Sequence, residues 1–193
     1  MYMTRRALLG ASAAGAVLVA AGCQAPQNGD LHAILNEAVT NFLRESPEYA
    51  TSLAVSEEQA GGRYIDRLSD ASRESIARQR AQAEDVIRQL GTVNRANLNA
   101  QDQVTLDVVT TALQDNVNAG AFVTGQGAQA PYTVTQLTGS YNGLPDFLVQ
   151  QHPVRTRDEA DAYLTRLSGF ATVLDQETTR VGQDADEGVV PPG

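Results

Sequence analysis

Residues 156–188, TRDEADAYLTRLSGFATVLDQETTRVGQDADEG, decide the fold class of this chain. The first four residues form a capping box, in which Thr156 and Glu159 satisfy each other's backbone N–H groups at the start of a helix. Apolar side chains then recur at helical spacing for about seven turns, namely Ala160, Tyr163, Leu164, Leu167, Phe170, Ala171, Leu174 and Val181. Gly188 ends the segment. The stretch therefore predicts one amphipathic helix of about 30 residues.

Two helical segments are predicted near the start of the domain. Asp30 caps the first helix. The apolar stripe of this helix is Leu31, Ile34, Leu35, Ala38, Phe42 and Leu43. Ser46-Pro47 starts a short second helix, because proline is best tolerated in the first helical turn. Gly61-Gly62 then breaks the chain.

Two long helices follow in the middle of the chain. The first covers about residues 71–90 and ends at Gly91. Its buried face is predicted to carry Ile76, Ala83, Ile87 and Leu90. Asn99 caps the second, which runs to about residue 118. Its core face is predicted to carry Val104, Val108, Ala112 and Leu113.

The fold class that these segments predict is all-α. Residues 120–141 alternate glycines with Tyr132, Thr133 and Val134, which indicates a long irregular loop, and residues 144–151 form a short helix. Four sizeable helices are expected to pack as a helical bundle or a curved helical layer. Loops of this length are usually functional or covered by other structure.

Residues 1–23 are predicted to be an export signal, followed by a polar tether over residues 24–29 and a helical region over residues 30–193. Arg5-Arg6 before an uncharged run matches a twin-arginine signal. The run closes with Ala21-Gly22-Cys23, which resembles a lipobox and predicts lipidation at Cys23, the only cysteine. Ala20 departs from this pattern, which prefers leucine. The expected location is the cell envelope, with the outer membrane facing the periplasm favoured by Gln24.

Two alternatives to the lipoprotein signal agree less well with these residues. A transmembrane anchor needs roughly 20 apolar residues, and this run is shorter and rich in alanine and glycine. Ordinary cleavage at an Ala-x-Ala site would leave Cys23 without a role, whereas the only cysteine stands at the lipobox position.

Composition excludes several classes of partner. The chain has no lysine, and its 14 arginines face 23 acidic residues, a net charge of −9. Loss of residues 1–22 removes Arg5 and Arg6 and changes the net charge to −11. Such a surface repels nucleic acid, so no nucleic-acid partner is expected. The absence of tryptophan argues against a carbohydrate platform.

No complete catalytic or metal-binding pattern is visible. His32 and His152 stand alone, so the chain is predicted to bind no zinc. His152 either lines a substrate groove with Tyr132, Gln136 and Tyr141 or bonds the last carbonyls of the preceding helix. His32 is expected at the surface. Acidic residues near the end of the last helix are interpreted as a solvated face rather than a calcium site, namely Asp184, Asp186 and Glu187.

Several short segments, in order, are similar to the front of the bacterial Domain of Unknown Function 885 family. They are residues 43–51 (LRESPEYAT), 131–136 (PYTVTQ), 143–148 (GLPDFL) with 151–153 (QHP), 161–164 (DAYL) with Arg166-Leu167, 174–175 (LD) and 188–192 (GVVPP). The family resembles zincin-type metallopeptidases, largely helical and often exported as lipoproteins. The resemblance implies one wall of a peptide channel here, with the zinc site in a part of the family that this sequence lacks.

Three functions therefore remain open. The chain is the front part of an exported, lipid-anchored peptidase-like protein and inactive alone, a non-catalytic lipid-anchored helical binding module, or a truncated product without function. The partners expected are the membrane, through the lipid, and a peptide substrate. The long last helix and Val189-Val190 predict an exposed apolar face, through which the chain would self-associate.

Overall fold

The predicted all-α class is confirmed by the computed structural model, which describes residues 29–120, 124–125 and 130–191. These residues form six α-helices and no β-strand. The helices are α1 (Gly29–Glu45), α2 (Pro47–Ser52), α3 (Arg73–Leu90), α4 (Ala100–Ala119), α5 (Ser140–Gln150) and α6 (Arg157–Asp186). A 3₁₀ turn, Arg95–Asn97, precedes α4. Within the described ranges, no helix has the length and apolar composition that a membrane span requires.

Three predicted helix starts are confirmed, two of them by a side-chain cap and one by a proline in the first turn. The Thr156 side chain accepts a hydrogen bond from the backbone N–H of Glu159, which completes the capping box of α6. The Asn99 side chain accepts from the N–H of Asp102 at the start of α4. Pro47 occupies the first turn of α2. Local side-chain chemistry therefore sets these boundaries.

Two helices begin earlier than the sequence predicts. α1 begins at Gly29, which the sequence analysis assigned to the tether, so that Asp30 lies inside the first turn. α5 begins at Ser140 rather than near Leu144, and it includes Pro145. The start of α5 is stabilised from outside, because the Glu177 carboxylate accepts hydrogen bonds from the backbone N–H and the hydroxyl of Ser140. This start could not be predicted from neighbouring residues, because Glu177 is 37 positions away from Ser140 in the sequence.

Helices α1, α3 and α4 form a three-helix bundle. α3 and α4 are antiparallel, since Arg80 near the start of α3 donates to the Gly120 carbonyl at 2.8 Å. α1 starts against the α3–α4 turn and runs back along α3. Its first turn contributes to a core cluster of Leu31, Leu90, Leu98 and Leu106.

Helices α5 and α6 form a second unit, an antiparallel hairpin. Its core cluster is Leu144, Phe147, Leu148 and Val173. The chain between α2 and α3 joins the two units, because Leu68 and Ala71 pack against this cluster while Tyr64 packs with Leu43 at the end of α1.

The predicted core face of α4 is confirmed at Leu113 and wrong at its other three residues. Val104 and Val108 are 55% and 60% exposed, and Ala112 is exposed as well. Leu113 belongs to an inward stripe with Asp102, Leu106, Val109 and Val117. Apolar residues lie on several sides of this helix, and the stripe that packs begins with an aspartate. Periodicity alone therefore favoured the wrong face.

Two further residues predicted to be buried are exposed. Ile76 is 38% exposed, and the buried side chain of that turn is Ser75, which is fully covered. Phe42 is 53% exposed, because Leu43 next to it turns into the cluster with Ala50, Ala60 and Tyr64.

The long helix α6 is confirmed, but its buried stripe is largely charged. The buried residues are Glu159, Ala162, Arg166, Val173, Glu177, Arg180 and Asp184. Arg166, Glu177, Arg180 and Asp184 bond distant segments of the chain, whereas Glu159 bonds Arg155 and Thr156 directly before the helix. Several of the predicted apolar residues face outward instead, with Leu164 58%, Leu167 48% and Val181 37% exposed.

Candidate functional site

His152 is buried and bonded through both ring nitrogens. The side chain is 6% exposed, Nε2 lies 2.9 Å from the Glu159 carbonyl oxygen, and Nδ1 lies 2.8 Å from Nη1 of Arg166. A carbonyl can only accept and a guanidinium can only donate, so the ring is neutral with its proton on Nε2. The predicted bond to the preceding helix is made by the backbone N–H, which donates to Phe147 O.

Arg166 is the centre of this cluster. It is fully buried and donates to the carbonyls of Arg67, Pro47 and Tyr64 and to the Thr51 hydroxyl. Its guanidinium carbon also lies 4.9 Å from the centre of the Phe147 ring. The cluster attaches α2 and the following chain to α6, so its geometry has a structural role.

The other predicted groove residues lie at the far end of α5. Tyr141, in the first turn of α5, is 45% exposed and its hydroxyl donates to the Thr135 carbonyl at 2.9 Å. Tyr132 is half-buried and Gln136 is exposed. The 11 residues of α5 separate this end from His152 by about 16 Å. A groove shared by all four side chains stays a prediction.

The residues present do not fit zinc. Within the described ranges, no three His, Cys, Asp or Glu side chains are grouped as a metal site would require. His152 has both nitrogens engaged by the chain itself, and His32 lies 3.3 Å from Asp102 with no third ligand grouped there. The solvated face predicted for the acidic residues of α6 is wrong for Asp184, which is 4% exposed because it accepts hydrogen bonds from Arg73, Thr133 and the Gly125 N–H.

An open groove lies between α1 and α3, with α4 below it, and has a volume of about 260 Å³. Its size is close to the lower end of ordinary ligand pockets. The apolar lining residues are Ile34, Ala38, Phe42, Ala83, Val86 and Leu113. This groove is hereafter called the α1–α3 groove. Its wall is formed where α1 runs along α3 without covering Leu113 of α4.

The hydroxyl-bearing side chain of Ser46 and two larger groups of polar side chains complete the lining. Amides are the larger group, Asn41, Gln79, Gln82, Gln89 and Asn116. Carboxylates are the second group, Glu37, Glu45 and Asp85, and no arginine lines the groove. The groove therefore combines apolar surface with hydrogen-bonding groups and negative charge.

The three carboxylates differ in how far they are neutralised. Asp85 bonds Arg88 and Gln89 of its own helix. Glu45 lies 4.0 Å from Nη2 of Arg78. Glu37 has no hydrogen bond or ion pair in the described part of the chain, and it is exposed. Its charge is the one most available to a ligand.

An exposed aromatic pair stands at the edge of the groove. Phe42 lines it, and Tyr49 of α2 meets Phe42 edge to face with ring centres 5.5 Å apart. Both side chains are about half exposed. Such rings offer an apolar surface and, through their faces, attraction for cations.

A family model described as "Bacterial protein of unknown function (DUF885)" matches residues 47–193. The chain belongs to the DUF885 family. The match begins at the first residue of α2 and includes α3 to α6, so the chain between α2 and α3 and the charged stripe of α6 both lie inside the family region. No curated protein and no solved structure matches the chain.

Sequence reasoning missed the α1–α3 groove because it treated α1 and α3 only as packing helices. A signal was present in the spacing. Glu37, Asn41 and Glu45 follow at intervals of four, which places three polar side chains in one row beside the apolar row. Gln79, Gln82 and Gln89 then give α3 a row of amides. The predicted lipidation site Cys23 and the predicted signal residues Arg5 and Arg6 lie outside the described residues.

Proposed function

We propose that this DUF885 chain is an exported, lipid-anchored peptide-binding domain, and that the α1–α3 groove is its peptide site. The observation that carries the proposal is the lining of the groove. Amide side chains both donate and accept hydrogen bonds, which matches the alternating N–H and C=O groups of a peptide backbone. The apolar floor accepts side chains. The geometry supports binding rather than a hydrolytic role for these residues.

The same proposal accommodates the likeness to zincin-type peptidases. A peptide-binding wall contributes to such an enzyme without supplying the zinc ligands, and the described residues contain no group that fits zinc. In this proposal the chain holds a peptide and does not cleave it alone. The other function left open by the sequence, a non-catalytic binding module of the envelope, would bind its peptide in the same groove.

The lipid anchor would place the groove close to a bilayer. α1 begins at Gly29, six residues after Cys23, and a chain of that length reaches about 20 Å. Mass spectrometry of the N-terminal peptide tests the anchor directly, with acyl chains on Cys23 expected. An unmodified N-terminus beginning after Cys23 would overturn this part of the proposal.

A blocking substitution tests the peptide site. Ala83→Trp fills the groove from α3, whereas Ala77→Trp adds the same ring to an exposed position of α3 outside the lining. The probe is a pool of fluorescein-labelled 12-residue peptides of mixed sequence, added to the full-length chain in detergent. We expect the anisotropy rise to be lost with Ala83→Trp and kept with Ala77→Trp.

Hydrogen–deuterium exchange locates the bound peptides on the same samples. We expect slower exchange in residues 34–46 and 79–89 when the pool is present. Absence of binding by the parent chain, or slower exchange confined to other helices, would show that the groove is not a peptide site.

A further inference from the structure

The charge of the α1–α3 groove selects among peptides. Three carboxylates line it and no arginine does, so its field favours a positively charged side chain. Arg44, on α1, does not line the groove, but it donates to the lining residue Asn41 and to the Gly61 carbonyl. Its positive charge lies beside Asn41, so a preference for a cationic ligand requires the three carboxylates to outweigh it.

Glu37 is the carboxylate of the groove that is best placed to form a new ion pair with a ligand. Asp85 and Glu45 already have arginine neighbours, Arg88 and Arg78, whereas no described residue pairs with Glu37. Its position one turn before Asn41 places its charge in the same row as the amide and Glu45. A bound ammonium or guanidinium group would form an ion pair that the free protein lacks.

The apolar part of the groove lies beside this charge. Phe42 belongs to the lining and keeps an exposed ring face beside the Tyr49 ring. Ile34 and Leu113 extend the apolar surface along the groove. A ligand that fills the whole groove needs cationic and apolar side chains on one face.

We propose that the α1–α3 groove binds a cationic amphipathic peptide segment, with its basic side chains at Glu37, Glu45 and Asp85 and its apolar side chains on Phe42, Ile34 and Leu113. This inference rests on the proposed function, and it adds the class of peptide. The basic side chains supply selectivity, and burial of the apolar side chains supplies most of the affinity.

The test compares three labelled 14-residue peptides with leucines at helical spacing. The remaining positions are lysine in the first peptide, glutamine in the second and glutamate in the third. Anisotropy titrations use the full-length chain in detergent. We expect the lysine peptide to bind at least tenfold more tightly than the glutamine peptide and the glutamate peptide to bind least. The preference should shrink at higher salt, which screens exposed charges.

Three single variants separate the effect of the groove from the effect of the overall negative charge. Glu37→Gln is expected to lower the affinity for the lysine peptide by about two- to fivefold, which is the effect of losing one exposed ion pair. Glu58→Gln removes the same charge from an exposed position outside the groove and should leave the affinity unchanged. Glu37→Arg should reduce the preference for lysine over glutamate further than Glu37→Gln.

The outcomes separate the two proposals. Binding of the glutamine peptide as tightly as the lysine peptide, with protection of the groove, would overturn the cationic selectivity and leave the peptide site standing. Equal losses of affinity for the lysine peptide with Glu37→Gln and Glu58→Gln would also overturn the cationic selectivity of the groove, because the overall negative charge of the protein would then explain the preference. Failure of all three peptides to bind would overturn the peptide site itself.

Discussion

Arg166 shows how a single buried charge can organise a small helical protein. Its guanidinium is fully covered, and its direct partners are carbonyls, a hydroxyl and the His152 ring. Burial lowers the pKa of Arg166 to about 10, and the charges of Glu48 and Asp66 oppose this only in part. The residue stays charged at neutral pH, and the neutral acceptors around it replace the water that it has lost.

Replacement of Arg166 should therefore be among the most damaging single changes. Arg166→Leu leaves the Arg67 carbonyl without its donor, removes one of the hydrogen bonds to each of the Pro47 and Tyr64 carbonyls, and takes a donor from His152 and Thr51. We expect a loss of about 3 kcal/mol or more in the free energy of unfolding. Arg157→Leu, at an exposed position of the same helix, should change it by less than about 0.5 kcal/mol. Urea denaturation measures both. Similar midpoints for the two variants would contradict the structural role.

Asp184 makes stability depend on acid pH. Burial would raise the pKa of this carboxyl, but hydrogen bonds from Thr133, Arg73 and the Gly125 N–H together hold the pKa below its ordinary value. A carboxyl whose folded-state pKa is depressed stabilises the protein above the unfolded-state value, about 3.9, and loses this contribution as the pH falls through the folded-state pKa.

We therefore expect the free energy of unfolding of Asp184→Asn to differ from that of the parent by an amount that depends on pH. The variant should be less stable at pH 7, by about 1–3 kcal/mol, because its amide presents a donor to Arg73. The difference should narrow below about pH 4, since the parent then loses its carboxylate. Urea midpoints between pH 3 and pH 7 provide the measurement, and a difference constant across this range would contradict the assignment.

Among the helices, α4 shows the limit of periodicity as a predictor. Its start at Asn99 was predictable, because the cap is a local interaction between residues three apart. Its inward face was not, since Val104, Leu106, Val108 and Val109 offer apolar side chains in several directions. The choice between them is made by packing against Leu31 and Leu90, which are distant in sequence.

A matched pair of alanine substitutions tests the face of α4. Leu106→Ala removes a buried side chain from the cluster with Leu31 and Leu90 and should cost about 2–4 kcal/mol of unfolding free energy. Val108→Ala, at a 60% exposed position, should cost less than about 0.5 kcal/mol. Equal losses would support the face predicted from the sequence.

α6 gives the opposite lesson about prediction. Its length, its capping box and its end near Gly188 follow from the sequence. The role of α6 in fixing distant segments does not follow from the sequence. Arg180 and Glu177 look like solvent-facing charges in the sequence, and only the fold brings the Ala71 carbonyl and Ser140 into contact with them. The candidate groove escaped prediction for a related reason, since it depends on how α1 lies along α3.

At the scale of the molecule, the outer face of α6 departs from an ordinary polar surface. Leu164, Leu167 and Val181 follow one side of this helix and are 37–58% exposed. Contiguous apolar patches beyond a few hundred Å² are uncommon on monomers. The self-association expected from the sequence is therefore still a prediction, and these residues now define where to test it.

We expect the chain carrying Cys23→Ser, which cannot be lipidated, to self-associate and to bind a hydrophobic dye. Leu164→Glu with Leu167→Glu should reduce both. Thr165→Glu with Ser168→Glu adds the same charge to exposed positions of the same turns and should have little effect. Analytical ultracentrifugation gives the readout. A monodisperse parent that binds no dye would show that this face needs no partner.

The long reach of the α6 side chains has a consequence for biosynthesis. Arg166 bonds residues 99–119 positions earlier in the chain, and Arg180 and Asp184 bond Ala71 and Arg73 across 109 and 111 positions. The ribosome completes α1 to α4 well before these partners exist. The segment between α2 and α3 therefore stays without these hydrogen bonds until α6 has left the exit tunnel. The native fold can close only after α6 has been synthesised.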